Sequence, residues 1–589
     1  MYTELKSYQQ IIALLKKYNI KNLVLSAGSR NVPFVHSVEK DDFFNCYSVV
    51  DERSAGYFAI GLAQESHEPV VLSCTASTAS CNYYPAIAEA FYQNVPLIVL
   101  TSDRNPVMLG QREDQMIDQV GMFDRHVKKS VNLPIINDEE DEYYCERLLN
   151  EALLEMNHHT KGPVHINIPM KSYNNSFNVK TLPDIKKIER LEPEDTKEDW
   201  YNKINLLKNY KSIMVICGQN DFTSTKLKDE LTEFFKNYNS VIIKDHMSNI
   251  DIENAINPTI AFDNKYITSK KMKELLPDLI ISFGGQVFSG LKPELRKFYK
   301  EVEHWSIQPD GKIVDLFKSL SVIFECMPER FFELANECAN SQKNNMEYYN
   351  KICDYVKNIK YPEFEYSHVF AIKNVVERIK PNSILHLSVN DSIRISNFFD
   401  IEKNVNVSAN IGTYGIDGPI STFIGHSVSS NKSAFLITGD LAFFYDMNAI
   451  RLNSIKKNMH ILLINNHGGS EFYYNGTWID KYSDLHTTAR HETQAEGWVK
   501  SNKFKYLKAT NKEEFNKNIE EFMMDGEEPV LFEVITEMSS DAKTINDFFD
   551  LSRPKEIKDE MIKKTKNIIK STIGQEKAEK IAKKVGIKK

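Results

Sequence analysis

The size, composition and charge of the chain limit what it can be. Its 589 residues are 42% hydrophobic and carry a formal net charge of −8 at pH 7, so we expect several globular domains and no nucleic-acid partner. The eight cysteines include no CxxC pair and no histidine cluster accompanies them, so neither a zinc site nor a disulfide framework is expected. No apolar run reaches membrane-spanning length, and residues 1–10 lead into an amphipathic helix. We therefore expect a cytoplasmic protein without a membrane partner.

Residues 1–185 alternate short apolar strands with helices. The strand candidates cover residues 23–26, 46–50, 70–74, 97–101 and 164–168. Continuous apolar runs of this length are typical of strands that are buried on both faces of a parallel sheet. The pattern predicts an α/β domain built on a doubly wound parallel sheet.

Two further regions repeat this pattern. An acidic, polar stretch at 187–197 is interpreted as a linker, and a second α/β domain is predicted at 198–345. Its Gly284-Gly285 pair lacks the G-x-G-x-x-G spacing of dinucleotide-binding loops, so we expect this middle domain to hold no cofactor. A third α/β domain is predicted at 365–545. Residues 554–589 form a lysine-rich tail whose apolar residues recur at helical spacing, which favours a solvated helix.

Residues 439–468 contain two apolar strands that each end in an oxygen-bearing residue. Asp440 follows the first strand, and Asn466 follows the second. Ligands of open parallel sheets bind outside the carboxyl ends of the strands, so we expect these side chains to meet at one crevice. With a backbone carbonyl near Gly468 they would suit Mg²⁺, and a helix starting at Ala442 would face a phosphate group. The segment predicts a metal-diphosphate site, although alone it would also fit an ordinary strand–helix–strand unit.

Other motifs lie near the N-terminus. They read L-S-A-G-S-R-N from Leu25, V-V-D-E-R-S-A-G from Val49, C-T-A-S-T-A-S-C-N from Cys74, T-S-D-R ending at Arg104 and G-P-V-H-I-N-I-P from Gly162. Together with the Gly-Asp and Asn-Asn-x-Gly of residues 439–468, they resemble thiamine-diphosphate (ThDP) enzymes. The closest resemblance is to the menaquinone-pathway synthase family, which joins 2-oxoglutarate to isochorismate. It covers most of the chain and implies the three-domain α/β fold of ThDP decarboxylases and carboligases, the cofactors ThDP and Mg²⁺, and sites shared between subunits of a homodimer or homotetramer.

The resemblance assigns contacts to the cofactor. Glu52 matches the glutamate that hydrogen-bonds the aminopyrimidine ring and promotes deprotonation of the thiazolium carbon. Alone, it would be explained as a carboxylate favoured at a helix N-terminus. Ile416 matches the bulky residue that bends the cofactor into a V, although a core isoleucine would look the same. Further cofactor contacts are implied at Thr75, Asn82, Gln115, Gly439, Leu441 and Ala442, and metal contacts at Asp440, Asn466 and Gly468.

The family holds the carboxylates of two acidic substrates with arginine side chains, whose planar guanidinium can bind a carboxylate through two hydrogen bonds. The candidates for substrate contacts in this chain are Arg30, Arg104, Gln115, Lys292, Asn390, Arg394 and Glu471. Without the motif context, each arginine would be interpreted as a surface or ion-pair residue.

Several positions near the expected substrate pocket depart from the family pattern. Ile411 stands where the family has an arginine, Ser77 replaces a glycine, and His467 and Glu471 follow the Asn-Asn pair. Loss of a guanidinium that pairs with a carboxylate can change substrate preference by orders of magnitude. Glu471 would repel a dicarboxylic donor, or exchange a proton if burial raises its pKa, unless it points into solvent.

These departures favour a ThDP- and Mg²⁺-dependent 2-oxoacid decarboxylase or carboligase with an altered substrate pocket. It would transfer an acyl-anion equivalent from a donor such as pyruvate to a carbonyl or enoate acceptor. One alternative is the family's own reaction, with carboxylate contacts supplied from elsewhere in the chain. The other is a catalytically degenerate subunit that keeps the fold for binding, and intact Glu52, Asp440 and Asn466 argue against it.

Overall fold

The structure is a computed structural model of the chain. It describes residues 1–551 apart from 67, 93–94, 159–160, 173–175, 193–196, 221–222, 264–266, 288, 340–343, 412–413, 417, 429, 453–454 and 475–483. The chain divides into two compact units, the first formed by Met1–Glu192 and Gly311–Ile323 and the second by Pro193–Asp310 and Phe324–Lys589. The predicted helical tail at 554–589 lies outside the described residues.

A six-stranded parallel sheet forms the centre of the first unit. Its strands are β1 (Asn22–Leu25), β2 (Asn45–Ser48), β3 (Val70–Cys74), β4 (Leu97–Asp103), β5 (Lys129–Asn132) and β6 (Val164–Pro169). They lie in the order β2-β1-β3-β4-β6-β5. All residues of β3, β4 and β6 are buried, because apolar cores cover both faces of the sheet. The helices of this unit are α1 (Lys6–Lys17), α2 (Val32–Glu39), α3 (Glu52–Ser66), α4 (Thr78–Asn82), α5 (Tyr84–Tyr92) and α6 (Glu139–Glu155).

The stretch at 187–197 is not simply a linker. It contains strand β7 (Glu189–Leu191), and a helix begins at its last residue, Lys197. The polar run contains Ile188, which is buried against Leu320 and Ile323 and anchors the chain directly before β7.

Two parallel sheets lie in the second unit. The strands of the first of these are β8 (Ile213–Cys217), β9 (Ser240–Ile243), β10 (Ala255–Ile256), β11 (Leu279–Phe283) and β12 (Glu303–Ile307), in the order β10-β9-β8-β11-β12. Strand β13 (Leu320–Phe324) ends at the boundary of the two units. The last sheet contains β14 (Ile384–Leu387), β15 (Asn406–Ala409), β16 (Ala434–Gly439), β17 (Met459–Asn465), β18 (Lys505–Ala509) and β19 (Val530–Ile535), in the order β15-β14-β16-β17-β19-β18.

Helices alternate with these strands along the chain. They are α7 (Lys197–Ile204), α8 (Thr225–Asn237), α9 (Thr259–Asp263), α10 (Ser269–Leu275), α11 (Leu291–Arg296), α12 (Pro328–Glu337), α13 (Glu347–Lys357), α14 (His368–Val376), α15 (Asp391–Ser396), α16 (Pro419–Val428), α17 (Asp440–Tyr445), α18 (Asp484–Thr487), α19 (Glu496–Ser501), α20 (Lys512–Met523) and α21 (Met538–Leu551). Side chains of Ser224, Ser367 and Asn511 each accept a backbone N–H at the start of α8, α14 and α20, which satisfies one of the unpaired donors there. The three parallel sheets confirm the predicted fold class, and the predicted domain bounds stay a proposal. Within the described ranges, no helix is long and apolar enough to cross a membrane.

Each sheet has a point at which the order of its strands reverses. These points lie between β1 and β3, between β8 and β11, and between β14 and β16. In doubly wound sheets, the crevice outside the strand ends at such a point is the usual place for a ligand. Between β8 and β11 the backbone fills this crevice, because a Cβ atom on Gly218 would lie 2.4 Å from the carbonyl oxygen of Gly285.

Candidate active site

A cavity of about 250 Å³ lies at the strand-reversal point of the last sheet. Residues that directly follow β14, β16 and β17 line it, as expected for strands whose carboxyl ends meet at one edge. The structure thereby brings together most of the residues predicted in this part of the chain. They are Asn390, Ile416, Gly439, Asp440, Leu441, Ala442, Asn466, Gly468 and Glu471.

The carboxylate of Asp440 is buried and held from two sides. Its Oδ1 accepts the backbone N–H of Leu441 at 2.6 Å, and its Oδ2 accepts the N–H of Gly468 at 3.0 Å. The Nε2 atom of His491 lies 3.4 Å from the same Oδ2. These contacts fix the orientation of an anionic oxygen ligand without placing a lysine or arginine against it.

The amide of Asn466 is oriented from behind. Its Nδ2 atom donates a hydrogen bond to Oδ2 of Asp541 at 3.0 Å, and both side chains are buried. Since the nitrogen is engaged there, the amide oxygen is the Asn466 atom that is available to a metal ion. Asp440, Asn466 and the Gly468 carbonyl are hard oxygen donors of the kind that Mg²⁺ prefers.

Two glycines shape the space beside these ligands. Apart from Gly439 and its chain neighbours, no described residue lies within 4 Å of the position that a Cβ on Gly439 would occupy, so a phosphate group can approach the backbone there. Gly468 has φ +146°, and a Cβ there would lie 2.7 Å from the carbonyl oxygen of Thr488, so this turn requires glycine. Helix α17 begins at Asp440, two residues before the predicted start at Ala442, because the Asp440 carboxylate bonds the first free N–H. The residues therefore fit a metal diphosphate.

The predicted wedge residue borders the same cavity. Ile416 is half-buried and packs against the core of the last sheet. Ile411, which stands where the family has an arginine, is fully buried in that core. The neighbouring Asp417 lies outside the described residues.

A hydrogen-bonded cluster surrounds the Asp391 carboxylate at the start of α15. Ser470 donates to its Oδ2 at 2.6 Å, and the Tyr474 hydroxyl donates to its Oδ1. Arg394 in turn donates from Nη1 to the Tyr474 hydroxyl at 3.0 Å. Burial and the Asp391 charge raise the pKa of Glu471, and Arg394 opposes that shift, so Glu471 does not simply point into solvent.

Arg394 also lines a second cavity of about 360 Å³. Its Nε lies 3.8 Å from Asp263, and Lys292 and Tyr414 contribute to the same lining. Burial lowers the pKa of Lys292, whose ammonium group donates to the carbonyl oxygen of Val287 at 3.2 Å. The second cavity thus joins two of the cations that were predicted to contact substrate.

The remaining predicted residues belong to the first unit. Glu52 is half-buried at the start of α3. Burial raises the pKa of the Cys74 thiol at the end of β3, and the negative charge of Glu52 raises it further. Thr75 is buried, and its hydroxyl accepts the backbone N–H of Arg30 at 3.2 Å.

Other predicted residues of the first unit are less enclosed. Asn82 and Gln115 are exposed, and Arg104 donates to Glu113 at 2.6 Å. The backbone around Ser77 is stabilised by Gln119, which was not predicted: its side-chain oxygen accepts the Ser77 N–H at 2.7 Å.

Sequence reasoning missed several residues in and beside the cavity of the second unit. Asp391 lies four residues after the end of β14, and Asp440 directly follows β16, so a search for acidic residues shortly after apolar strands could have found both. His368, His491 and Asp541 gave no such signal, because each stands on a segment without a recognisable motif and reaches the site only through the tertiary fold.

Comparisons with known proteins identify the family. Residues 5–122 match the model described as thiamine pyrophosphate enzyme, N-terminal TPP binding domain. A protein of Bacteroides thetaiotaomicron is 38% identical over 558 residues, which cover 93% of this chain and 99% of the relative. Relatives from Bacteroides fragilis and Flavobacterium johnsoniae are 36% and 32% identical and cover 93% and 91% of the chain and 99% and 97% of their own lengths. All three are named 2-succinyl-5-enolpyruvyl-6-hydroxy-3-cyclohexene-1-carboxylate synthase. The chain is therefore a thiamine-diphosphate-dependent enzyme that forms carbon–carbon bonds, and it belongs to the 2-succinyl-5-enolpyruvyl-6-hydroxy-3-cyclohexene-1-carboxylate synthase family.

Proposed function

We propose that this enzyme catalyses the reaction of its family, in which 2-oxoglutarate loses CO₂ and its remaining acyl carbon is added to isochorismate. The observation that carries the proposal is full-length similarity at 38% identity to a relative with that name. Two cavities of the second unit support it: one is lined by Asp440, Asn466 and Gly468, which fit a metal diphosphate, and the other by Arg394 and Lys292.

We further propose how the chain would hold its cofactors. Asp440, Asn466 and the Gly468 carbonyl would bind Mg²⁺, and Gly439, Leu441 and Ala442 would contact the diphosphate. Ile416 would support the bent cofactor. When bound, ThDP supplies an acidic carbon that attacks the carbonyl of a 2-oxoacid and stabilises the charge left by loss of CO₂.

On the substrate side, this chain's own charges support an acidic donor. Arg394 and Lys292 provide positive charge for carboxylates. Glu471 would repel a dicarboxylate if it were always ionised, but burial and the Asp391 charge raise its pKa, which reduces that repulsion. Asn390 would add a polar contact from the start of α15, and Arg30 and Arg104 of the first unit are further candidates for substrate contacts.

A second candidate function is transfer from a smaller 2-oxoacid such as pyruvate. It is favoured by Ile411, which is fully buried where the family arginine would stand and therefore offers no charge to a carboxylate. A single experiment separates the two candidates. Purified enzyme with ThDP and Mg²⁺ is given 2-oxoglutarate, pyruvate or oxaloacetate, with and without isochorismate. We expect CO₂ release and coupled product with 2-oxoglutarate; release from pyruvate alone would overturn the main proposal and support the second.

We also propose a homo-oligomer, a dimer or a tetramer, with a cytoplasmic location. Glu52, the proposed pyrimidine-activating residue, belongs to the first unit, and the proposed metal ligands belong to the second. Large apolar side chains are exposed in the first unit at Val50, Phe58, Val107 and Val120, and a second copy of the chain could cover them. Thr75, Asn82 and Gln115 would then serve the pyrimidine half of a site completed by the partner.

A further inference from the structure

His368 stands at the first position of α14, fully buried and between two carboxylates. Its Nδ1 atom lies 3.3 Å from Oδ1 of Asp541, and its Nε2 atom lies 3.7 Å from Oδ2 of Asp391. Neither ring nitrogen makes a hydrogen bond of ordinary geometry to a described residue, and the two contacts become ion pairs when the ring is protonated.

Asp541 connects His368 to Asn466, one of the proposed metal ligands. Its Oδ1 accepts the backbone N–H of His368 at 2.9 Å. Its Oδ2 accepts Nδ2 of Asn466 at 3.0 Å and the hydroxyl of Thr536 at 2.6 Å. A carboxylate that only accepts hydrogen bonds forces the amide nitrogen of Asn466 toward it, and the amide oxygen therefore faces the other way.

Asp391 connects His368 to the rest of the cavity wall. Its oxygens accept the hydroxyls of Ser470 and Tyr474, and Arg394 lies 3.9 Å away. Burial of the Asp541 and Asp391 carboxylates is costly unless a positive charge lies nearby, and the imidazole ring of His368 lies between them, where a protonated ring would neutralise both in part. Burial alone would lower the pKa of His368, but the charges of Asp541 and Asp391 raise it above the ordinary value.

We propose that His368 is a positioning residue of the active site: as an imidazolium held between Asp541 and Asp391, it fixes the Asp541 carboxylate that orients the predicted metal ligand Asn466. The inference rests on the proposed function in taking Asn466 as a ligand of Mg²⁺. In metal sites generally, residues that hydrogen-bond to the metal ligands orient those ligands and thereby affect the affinity for the metal.

The test is the affinity for Mg²⁺ at saturating ThDP, measured by titration calorimetry. We expect His368→Gln to weaken Mg²⁺ binding by about 10-fold or more, the usual effect of losing a partner behind a metal ligand. His386→Gln is the matched control, because His386 is another fully buried histidine of the second unit, located in β14, with its Nδ1 2.8 Å from Oγ of Ser408. The control should keep its Mg²⁺ affinity within about twofold even if both variants unfold at lower temperature. In combination with Asp541→Asn, His368→Gln should cause little additional loss, since both changes break one chain of contacts.

A second readout needs no variant. In wild-type enzyme with ¹⁵N-labelled histidine, the ring of His368 should lose its second proton at a pH above the ordinary histidine value of about 6.5. A ring that is already neutral below that pH, or a folded His368→Gln enzyme with wild-type Mg²⁺ affinity, would overturn the inference alone. A wild-type enzyme that binds no Mg²⁺ with ThDP would overturn the proposed function and this inference together.

Discussion

At the scale of single residues, the proposed metal ligands are held in place by contacts within the protein. Both oxygens of Asp440 accept backbone N–H groups, and Gly468 adopts a conformation in which a Cβ would collide with Thr488. Such preorganisation means that binding does not have to include the cost of ordering these groups. Three changes at single residues test the assignment of roles.

Asp440→Ala should abolish Mg²⁺-dependent binding of ThDP. Loss of a partner behind a metal ligand costs 10- to 100-fold in affinity, so loss of the carboxylate ligand itself should cost more than about 100-fold. Titration calorimetry with and without Mg²⁺ measures this. Asp547→Ala is the control, since Asp547 is an exposed partner of Lys543 in the same unit. Retained affinity in Asp440→Ala would refute the metal assignment.

Glu52→Gln should leave ThDP bound but slow the exchange of its thiazolium proton with deuterium. The expected loss is about 10²- to 10⁴-fold, the range for removal of a general acid–base group. Proton NMR after timed quenching in D₂O follows the exchange. The adjacent Asp51→Asn removes an exposed carboxylate and should exchange at the wild-type rate. Unchanged exchange in Glu52→Gln would show that another group activates the cofactor.

Ser77→Gly should stabilise the enzyme. Ser77 has φ +74° and ψ −128°, a combination that a residue with a Cβ rarely adopts and that costs about 1–3 kcal/mol. Glycine relieves this strain but increases the conformational entropy of the unfolded chain, which offsets part of the gain. We therefore expect a net increase of about 1 kcal/mol in the free energy of unfolding. Urea unfolding measures the gain, and Ser77→Ala, which keeps the Cβ, should show none. A less stable Ser77→Gly enzyme would contradict the strained backbone.

At the scale of elements, the cavity is assembled from helix starts and strand ends. α14 contributes His368 at its first position, α15 contributes Asp391 at its first position, and α21 contributes Asp541 from its first turn. These residues come from three parts of the chain, so the charge balance among them ties the helices to one another.

The ion pair between α14 and α21 should make stability depend on pH. The pKa of His368 is raised in the folded state, so its stabilising effect is complete below the unfolded value of about 6.5 and is lost as pH rises through the folded pKa. Although burial acts in the opposite direction, His368 and Thr536 lower the pKa of Asp541. Its contribution is therefore present above about 3.9 and is lost as pH falls through the lowered value.

Urea unfolding of wild-type enzyme and His368→Gln, repeated from pH 6 to pH 10, tests this. The difference in unfolding free energy should be largest near pH 6 and should shrink as pH rises. A difference that is constant over this range would mean that His368 is neutral in the folded enzyme.

The sequence predicts those elements whose signal is local. Apolar runs predicted strands β16 and β17, and the spacing of Gly439-Asp440 and Asn466 predicted that these residues share one crevice, because both predictions depend on residues close in the chain. The His368–Asp541 pair could not be predicted in this way, since 173 positions separate the two residues. Strand β7 was missed for a related reason: one buried isoleucine, Ile188, outweighs a polar stretch only when its distant partners are known.

At the scale of the whole molecule, we expect two or more copies of the chain to associate through the exposed apolar face of the first unit. Phe58→Glu places a charge on an exposed apolar position of α3, close in sequence to Glu52. If a second copy covers this face, the change should weaken the oligomer by at least about 30-fold, the effect of losing a central interface residue. Sedimentation velocity measures the mass, and Phe58→Leu should keep the wild-type state. An unchanged oligomer in Phe58→Glu would exclude this face from the interface.

The contact between Gly218 and Gly285 distinguishes the middle sheet from the last one, although both sheets have the same parallel architecture. The backbone N–H of Gly218 donates to Phe283, and that of Gly285 donates to Gln219. These hydrogen bonds join the loops after β8 and β11 at the position that corresponds to the cavity of the last sheet. The strands around both crevices are parallel and almost entirely buried, so the two sheets do not differ in their framework. They differ in the loops that follow the strands, which meet through their backbones at Gly218 and Gly285 in the middle sheet and leave open space beside Gly439 in the last one.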